Sequence, residues 1–494
     1  MELAVFIFLS SGLFLGWSLG ANDAANIFGT AVATRMVRFA TAAIITSVFC
    51  ILGAVISGAG AAHTLGSLGS VNAIAGSFVV CLAAGYTVFQ MTKLGLPVST
   101  TQAIVGAIIG WNIFSGSATD YDTLTKIVST WIICPALSAL VAIPVFKLTE
   151  FFIYSCNFHL VRQDAYTRIA LVIAGVFGAY SLGANNIANV VGVFLPVSPF
   201  SNFSFLGLFS LSSAHQLFLI GGIAIAVGVI TYSKRVIMTV GEGISALSPA
   251  AAFVAVIAHS VVLFLFSSEG IEHFLASHGL PTIPLVPVSS SQAIVGAVIG
   301  IGLIKGVHTV RWRLVGKITV AWTCTPLIAA IISLVALFIL QNVFGQEVYR
   351  TTSYSLNAAA FEKISQKGLP VEKLMPLTGE TFKNGTLFLR AVERQVGLNQ
   401  IQEKQLLWFA EIGVFRVEAN LIQQFSDNWL SKEQLDALRR LTGKTFNFKW
   451  QLAQALADEH DAWKLLPESK INKLHNKEIN NRLNAVFRAF SVAQ

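Results

Sequence analysis

PVSTTQAIVGAIIG at 97–110 returns as PVSSSQAIVGAVIG at 287–300. Eleven of the fourteen positions are identical, and the other three exchange Thr for Ser or Ile for Val. A second pair precedes each copy: GANDAAN at 20–26 and GANNIAN at 183–189, sharing five of seven positions. The order is the same in both halves, so the chain carries an internal repeat. Both motif types lie in apolar surroundings, and this decides the fold.

The chain has 494 residues, 54% apolar and 12% charged. Soluble domains run near one quarter charged, so an integral membrane protein is expected. Residues 1–345 hold 22 charged side chains, whereas 346–494 hold 36 in less than half the length. We therefore expect membrane repeats at 1–165 and 166–345, then a soluble, mostly helical C-terminal domain at 346–494. Neither block has a concentrated basic stripe, so nucleic acid is not an expected partner. The five cysteines (Cys50, Cys81, Cys134, Cys156, Cys324) show neither metal spacing nor a paired framework. The start, Met1-Glu2-Leu3, lacks the basic region of a cleaved signal and reads as the first span.

Apolar runs near spanning length fall at about 3–31, 39–61, 70–92, 95–118, 127–146, 169–197, 215–233, 250–267, 281–304 and 318–341. The runs at 3–31 and 169–197 carry Asn and Gly near their middles, and the first adds Asp23. Those at 95–118 and 281–304 contain Pro followed by polar residues. Broken backbone at membrane depth survives only beside protein or a water-filled cavity, so both pairs read as site-building elements. If each run crosses once, Arg35, Arg38, Lys93, Lys147, Arg162, Arg168, Lys234, Arg235, Lys305, Arg311, Arg313 and Lys317 share one side. Only Lys126 falls on the other, beside Asp120 and Asp122. The positive-inside rule puts the larger group in the cytoplasm and both termini outside. The second half then runs opposite to the first: an inverted repeat, as in secondary transporters.

The motif chemistry fits an ion site. Pro97 and Pro287 precede Ser99, Thr100, Thr101 and Ser289, Ser290, Ser291, with Gln102 and Gln292 next. A helix start lined by hydroxyls and amides cradles an anion without a formal charge. Asn22, Asn26, Asn185, Asn186 and Asn189 can donate to an oxyanion or offer oxygen to a cation. Asp23 is the only acid among them and is costly at mid-membrane unless it has a role. Asp23, Asn22 and Asn186 are the expected Na⁺ ligands if sodium is coupled. The opposing reading, polar residues as simple helix glue, fits a single Asn or Ser better than a duplicated set.

Weaker features stand apart. Glu242, within Gly241-Glu242-Gly243, reads as a loop charge near Lys234 and Arg235. His63, His259 and His308 each stand alone and read as packing or loop residues. Asn384-Gly385-Thr386 is a sequon of the kind that also arises by accident. In the tail, Ser431 with Gln434 fits a capping box, and Leu435, Leu438 and Leu441 recur at helical spacing. Residues 399–425 carry a mixed apolar face around Leu407, Trp408, Ile412 and Phe415, while His460 and His475 are isolated. No Walker loop, zinc spacing or nucleophile elbow is present, so neither an enzyme nor an ATP-driven pump is supported and no cofactor is expected.

With both pairs in order and duplicated, the chain resembles the inorganic phosphate transporter (PiT) family over about 1–345. The resemblance implies an all-α, inverted-repeat secondary transporter with broken helices and two hairpins. It implies a multi-pass protein of the cytoplasmic membrane, usually a homodimer, moving phosphate with Na⁺ or H⁺. Asn22, Asp23, Asn26, Asn185, Asn186 and Asn189 would form the centre, and the Ser/Thr triplets would bind phosphate from the hairpin tips. Two features depart from the family pattern. Asn186 stands where the family commonly has a second Asp, and Gln102 and Gln292 stand where many members have His. The alternatives are a sulfate permease of the same fold, or a channel or transport-derived sensor. A site without Lys or Arg needs cations to neutralise a dianion, which favours symport. Asp23→Asn is expected to abolish coupled uptake in a folded protein; wild-type uptake by that variant would remove Asp23 from the mechanism.

Overall fold

The computed structural model describes residues 2–69, 71–95, 97–156, 159–200, 203–205, 209–234, 247–423, 425, 429–467, 469 and 472–492. Glu242 lies outside these. The first half runs α1 (Glu2–Asp23), α2 (Ala25–Ala33), α3 (Phe39–Ser57), α4 (Ala59–Gly69), α5 (Ile74–Lys93), α6 (Thr100–Ser115) and α7 (Tyr121–Ser155). The second runs α8 (Leu160–Val191), α9 (Ser213–Thr231), α10 (Pro249–Ser267), α11 (Glu269–Ser277), α12 (Ser290–Lys305) and α13 (Trp312–Asn342). Among the described residues, eight helical spans are long and apolar enough to cross a membrane.

The ten expected crossings are therefore not ten long helices. The runs at 95–118 and 281–304 fold as α6 and α12, 16 residues each. Sixteen residues rise only about 24 Å, short of a bilayer's hydrocarbon core of about 30 Å. The residues just before each helix, ending in Pro-Val-Ser, carry no regular structure. The expected break in the Asn motifs is also only partly present. A single residue, Ala24, separates α1 from α2, while α8 continues unbroken through Asn189. Side-chain amides, not opened backbone, make the cross-contacts there, so the helix has no need to unwind.

Equivalent helices pack alike. Helix α1 lies against α5 and α9, as α8 lies against α10 and α3; α6 packs on α13, as α12 packs on α7. The glycines of the motifs explain the close approach. A Cβ on Gly106 would lie 2.1 Å from the Pro326 carbonyl oxygen, and one on Gly296 would lie 2.1 Å from that of Pro135. Gly20 and Gly183 would each meet a carbonyl oxygen at 2.0 Å, those of Ile225 and Cys50. In an apolar solvent, helices associate by such close packing because burial of apolar surface supplies little. One buried cluster joins the two halves, including Leu19, Val80, Ile104, Leu182 and Val286.

Residues 354–490 form short helices around two further clusters, one near Phe388 and Leu406 and one near Leu438 and Phe487. The capping box at Ser431 and Gln434 is present, and Leu435, Leu438 and Leu441 are buried. The apolar face expected across 399–425 divides. Leu407 and Trp408 sit in the helix Gln400–Ala410, but Ile412–Arg416 is a strand paired with Thr445–Phe448. The chain is mostly helical as expected, with a small antiparallel ribbon here and two others, Phe203–Phe205 with Phe209–Leu211 and Tyr354–Ser355 with Thr381–Phe382. Glu411 lies between helix and strand and leaves helical geometry, which turns the chain after Ala410.

This segment docks on both halves. Asn72 exchanges two hydrogen bonds with the Arg350 backbone, at 2.8 and 2.9 Å. Lys404 Nζ pairs with Asp120 at 2.7 Å and Asp122 at 2.8 Å. Lys477 reaches Glu269 and Glu272, and Arg488 donates to the Leu195 carbonyl at 2.7 Å. Asn384, the sequon residue, caps its own helix and abuts Gly116. Burial alone would raise the Asp120 carboxyl, but Lys404 and Thr123 hold it below the usual carboxylate range. That contact is thus fully present above the ordinary Asp pKa and fades as pH falls through the lowered one.

Gly296→Ala should destabilise the protein by about 1–3 kcal/mol or more, because backbone must shift to admit the methyl. Gly29→Ala, whose Cβ would meet nothing closer than 3.9 Å, should be neutral. Thermal unfolding in detergent reads both; equal melting temperatures would refute the packing argument.

Candidate functional site

The two Asn motifs and the two Ser/Thr motifs meet at one buried centre. Asn22 on α1 donates from Nδ2 to the Val98 carbonyl at 3.3 Å and to Asp23 Oδ1 at 2.9 Å. Asn185 on α8 repeats this, donating to the Val288 carbonyl at 2.7 Å and to Asn186 Oδ1 at 2.8 Å. Its oxygen also accepts from the Val288 N–H at 2.9 Å. Each Asn thus pins the residue two places before its own half's polar helix start.

Other bonds cross between the halves. Asn186 Nδ2 donates to Asp23 Oδ2 at 3.1 Å, joining the two Asn motifs directly. Asn26 Nδ2 donates to Ser290 Oγ at 2.9 Å, and Asn189 Nδ2 to Thr101 Oγ1 at 3.0 Å. Ser291 Oγ donates to the Val98 carbonyl at 2.8 Å, and Thr101 Oγ1 to that of Val288 at 3.4 Å. Trp322 and Cys134 hold the Pro97 and Ser289 carbonyls from α13 and α7.

All the expected site residues are buried: Asn22, Asp23, Asn26, Ser99, Thr100, Thr101, Gln102, Asn185, Asn186, Asn189, Ser289, Ser290, Ser291 and Gln292. Their roles divide. Ser99 and Ser289 are N-caps, each accepting the Gln102 or Gln292 N–H at 3.2 Å. That satisfies one of the orphan donors of each helix start and sets its direction. Thr100 Oγ1, Gln102 Oε1, Asn189 Oδ1 and Gln292 Oε1 have no hydrogen-bond partner among the described residues. Buried polar atoms are normally paired, so these carry unused binding capacity. Asp23 accepts two amide N–H bonds and has no ion pair with Lys or Arg among the described residues. The described residues contain no group of three or more His, Cys, Asp or Glu side chains suited to a metal.

One site residue was not legible as such. His259 does not stand alone: it is fully buried, with Nε2 3.0 Å from Ser290 Oγ. A signal existed in an alignment of SFVVCLAAGYTVF (77–89) with AFVAVIAHSVVLF (252–264), where His259 faces Ala84. His63, by contrast, has no contact with these motifs in its described hydrogen bonds.

Asn185→Ala should cost more stability than Asn22→Ala. The first removes a two-way clamp and leaves the Val288 N–H buried and unpaired, at about 1–3 kcal/mol. The second removes one longer backbone contact. Melting temperatures of the two variants check the order, and the reverse ranking would count against the clamp.

Residues 19–333 and 280–493 match the Phosphate transporter family. The second match extends beyond residue 345, into the tail that the motifs did not cover. A protein named as a phosphate permease of Methanocaldococcus jannaschii is 26% identical over 336 residues, covering 68% of this chain and 97% of its own. One from Haemophilus influenzae is 24% identical, covering 69% and 97%. The chloroplastic inorganic phosphate transporter 2-1 of Arabidopsis thaliana is 23% identical, covering 70% and 73%. A solved structure described as the sodium-dependent phosphate transporter shares the fold, with TM-score 0.54 and 22% identity over 69% of this chain and 99% of its own. The chain belongs to the phosphate transporter family.

Proposed function

We propose that the chain is a cation-coupled symporter that moves inorganic phosphate across the membrane by alternating access. One observation carries the reading. The duplicated motifs converge on a single buried centre rich in N–H and O–H groups, with one carboxylate and, among the described residues, no Lys or Arg partner. Hydroxyl and amide donors suit an oxyanion, and helix starts at Thr100 and Ser290 add their dipoles. The remaining negative charge at Asp23 suits a cation that enters with it.

Asp23, Asn22 and Asn186 would hold that cation. The Asp23 and Asn186 oxygens already accept amide N–H bonds and the Asn22 oxygen accepts from Thr92, and rotation of an Asn22 or Asn186 amide would exchange a nitrogen for an oxygen beside Asp23. Asn186 lowers the charge by one relative to a paired-Asp site, so fewer cations are needed per anion. Each cation moved inward gains about 2.3 kcal/mol per 100 mV of membrane potential.

The inverted repeat is supported by the matched packing pairs and by the matched bonds from Asn22 and Asn185. A pseudo-twofold axis exchanging the halves would pass between the two helix starts, where alternating access requires the substrate to sit. Every loop held by the tail, near Asn72, Asp120, Leu195 and Glu272, falls on the side expected to be outside. We therefore place 346–494 as a water-exposed domain on that face, together with the N-terminus.

Radiolabelled phosphate uptake into proteoliposomes tests the reading, with Na⁺ and H⁺ gradients imposed separately and with excess sulfate as competitor. Saturable uptake driven by one gradient and indifferent to sulfate is the expected result. Uptake blocked by sulfate, or sulfate uptake alone, would overturn the phosphate assignment; gradient-independent conduction would overturn symport.

A further inference from the structure

The two helix starts are not equivalent. Ser290 and Thr100 occupy matching places in the repeat, yet Ser290 Oγ has two nitrogen neighbours and Thr100 Oγ1 has none among the described residues. One neighbour, His259, faces Ala84 in the aligned halves; the other, Asn26, has as its counterpart Asn189, which bonds Thr101 and not Thr100. The register is supported by packing: a Cβ on Gly85 would meet Leu15, and one on Gly178 would meet Ser260. Leu15 and Gly178 hold the same place relative to Asn22 and Asn185.

The hydrogen positions follow from the partners. The Asn26 amide nitrogen can only donate, so one lone pair of Ser290 Oγ is occupied. His259 Nδ1 is buried without a partner among the described residues. A buried, unpaired N–H is rarer and costlier than an unpaired acceptor, so the imidazole hydrogen belongs on Nε2. Nε2 then donates to Ser290 Oγ as well. With both lone pairs occupied, the Ser290 hydroxyl can act only as a donor, and its hydrogen is left for a third group.

We propose that His259 is a positioning residue that fixes the Ser290 hydroxyl as a hydrogen-bond donor to the transported oxyanion, making the second half the better-ordered arm of the site. The inference rests on the phosphate-carrier reading. It assigns Thr100, in the half that has Ala84 at the place of His259, as the adaptable arm, free to donate or accept. An adaptable arm suits a substrate carrying both P–O⁻ and P–OH groups.

The test compares phosphate uptake by His259→Gln and His259→Asn. The Gln amide nitrogen can reach the place of Nε2, and the shorter Asn cannot. His259→Gln should keep KM within about twofold of wild type. His259→Asn should raise KM about tenfold while the maximal rate at saturation changes little; tenfold corresponds to about 1.4 kcal/mol of binding. Adding His259→Asn to Ser290→Ala should raise KM no further, because the group it orients is gone. Equal KM values for Gln and Asn, or effects that multiply in the double variant, would overturn the inference while leaving the carrier reading intact. Absence of phosphate uptake by the wild type would overturn both.

Discussion

A carboxylate inside a membrane protein must be held by something. Here Asp23 is held by the amide N–H groups of Asn22 and Asn186, one from each half of the chain. Amide donors soften the cost of burial without neutralising the charge, and an uncompensated buried ion still costs several kcal/mol. On the proposed reading, this centre accepts a cation. The surrounding structure follows from keeping those groups in register. Asn22 and Asn185 tie the motif helices to Val98 and Val288, just before α6 and α12, so the polar helix starts and the charged centre are linked.

The glycines serve the same end by another route. Polar contacts across helices require backbones to lie close, and each motif contributes such an approach, at Gly20, Gly106, Gly183 and Gly296. Each motif is therefore both a polar cluster and a packing surface. This explains why the repeated sequence extends past its polar residues into AIVGAIIG and AIVGAVIG. The hydroxyls and amides begin the helix, and the glycines seat it against the opposite half.

Much of this was legible in the sequence because duplication makes a pattern visible that single residues do not. Every motif residue proposed for the site is buried. What was not legible depended on distance or direction. The Asn-rich stretch of α8 reads as a break, yet its amides satisfy the neighbouring loop and the helix persists. His259 lies within a 19-residue apolar helix with no nearby polar residue to mark it except Ser260, and its partner is 31 residues away. Ile412 and Phe415 continue an apolar spacing that began on a helix, but the chain turns at Glu411 and they join a strand. Short apolar runs carry no information about such turns.

The central claim is that two halves build one site, not two. Equilibrium binding of radiolabelled phosphate to the purified protein, with saturating Na⁺ or at fixed low pH, measures this most directly. The account predicts one phosphate per chain, and near-complete loss of binding on either Asn26→Ala or Asn189→Ala alone. Two phosphates per chain, with each single variant removing only half of the capacity, would contradict it.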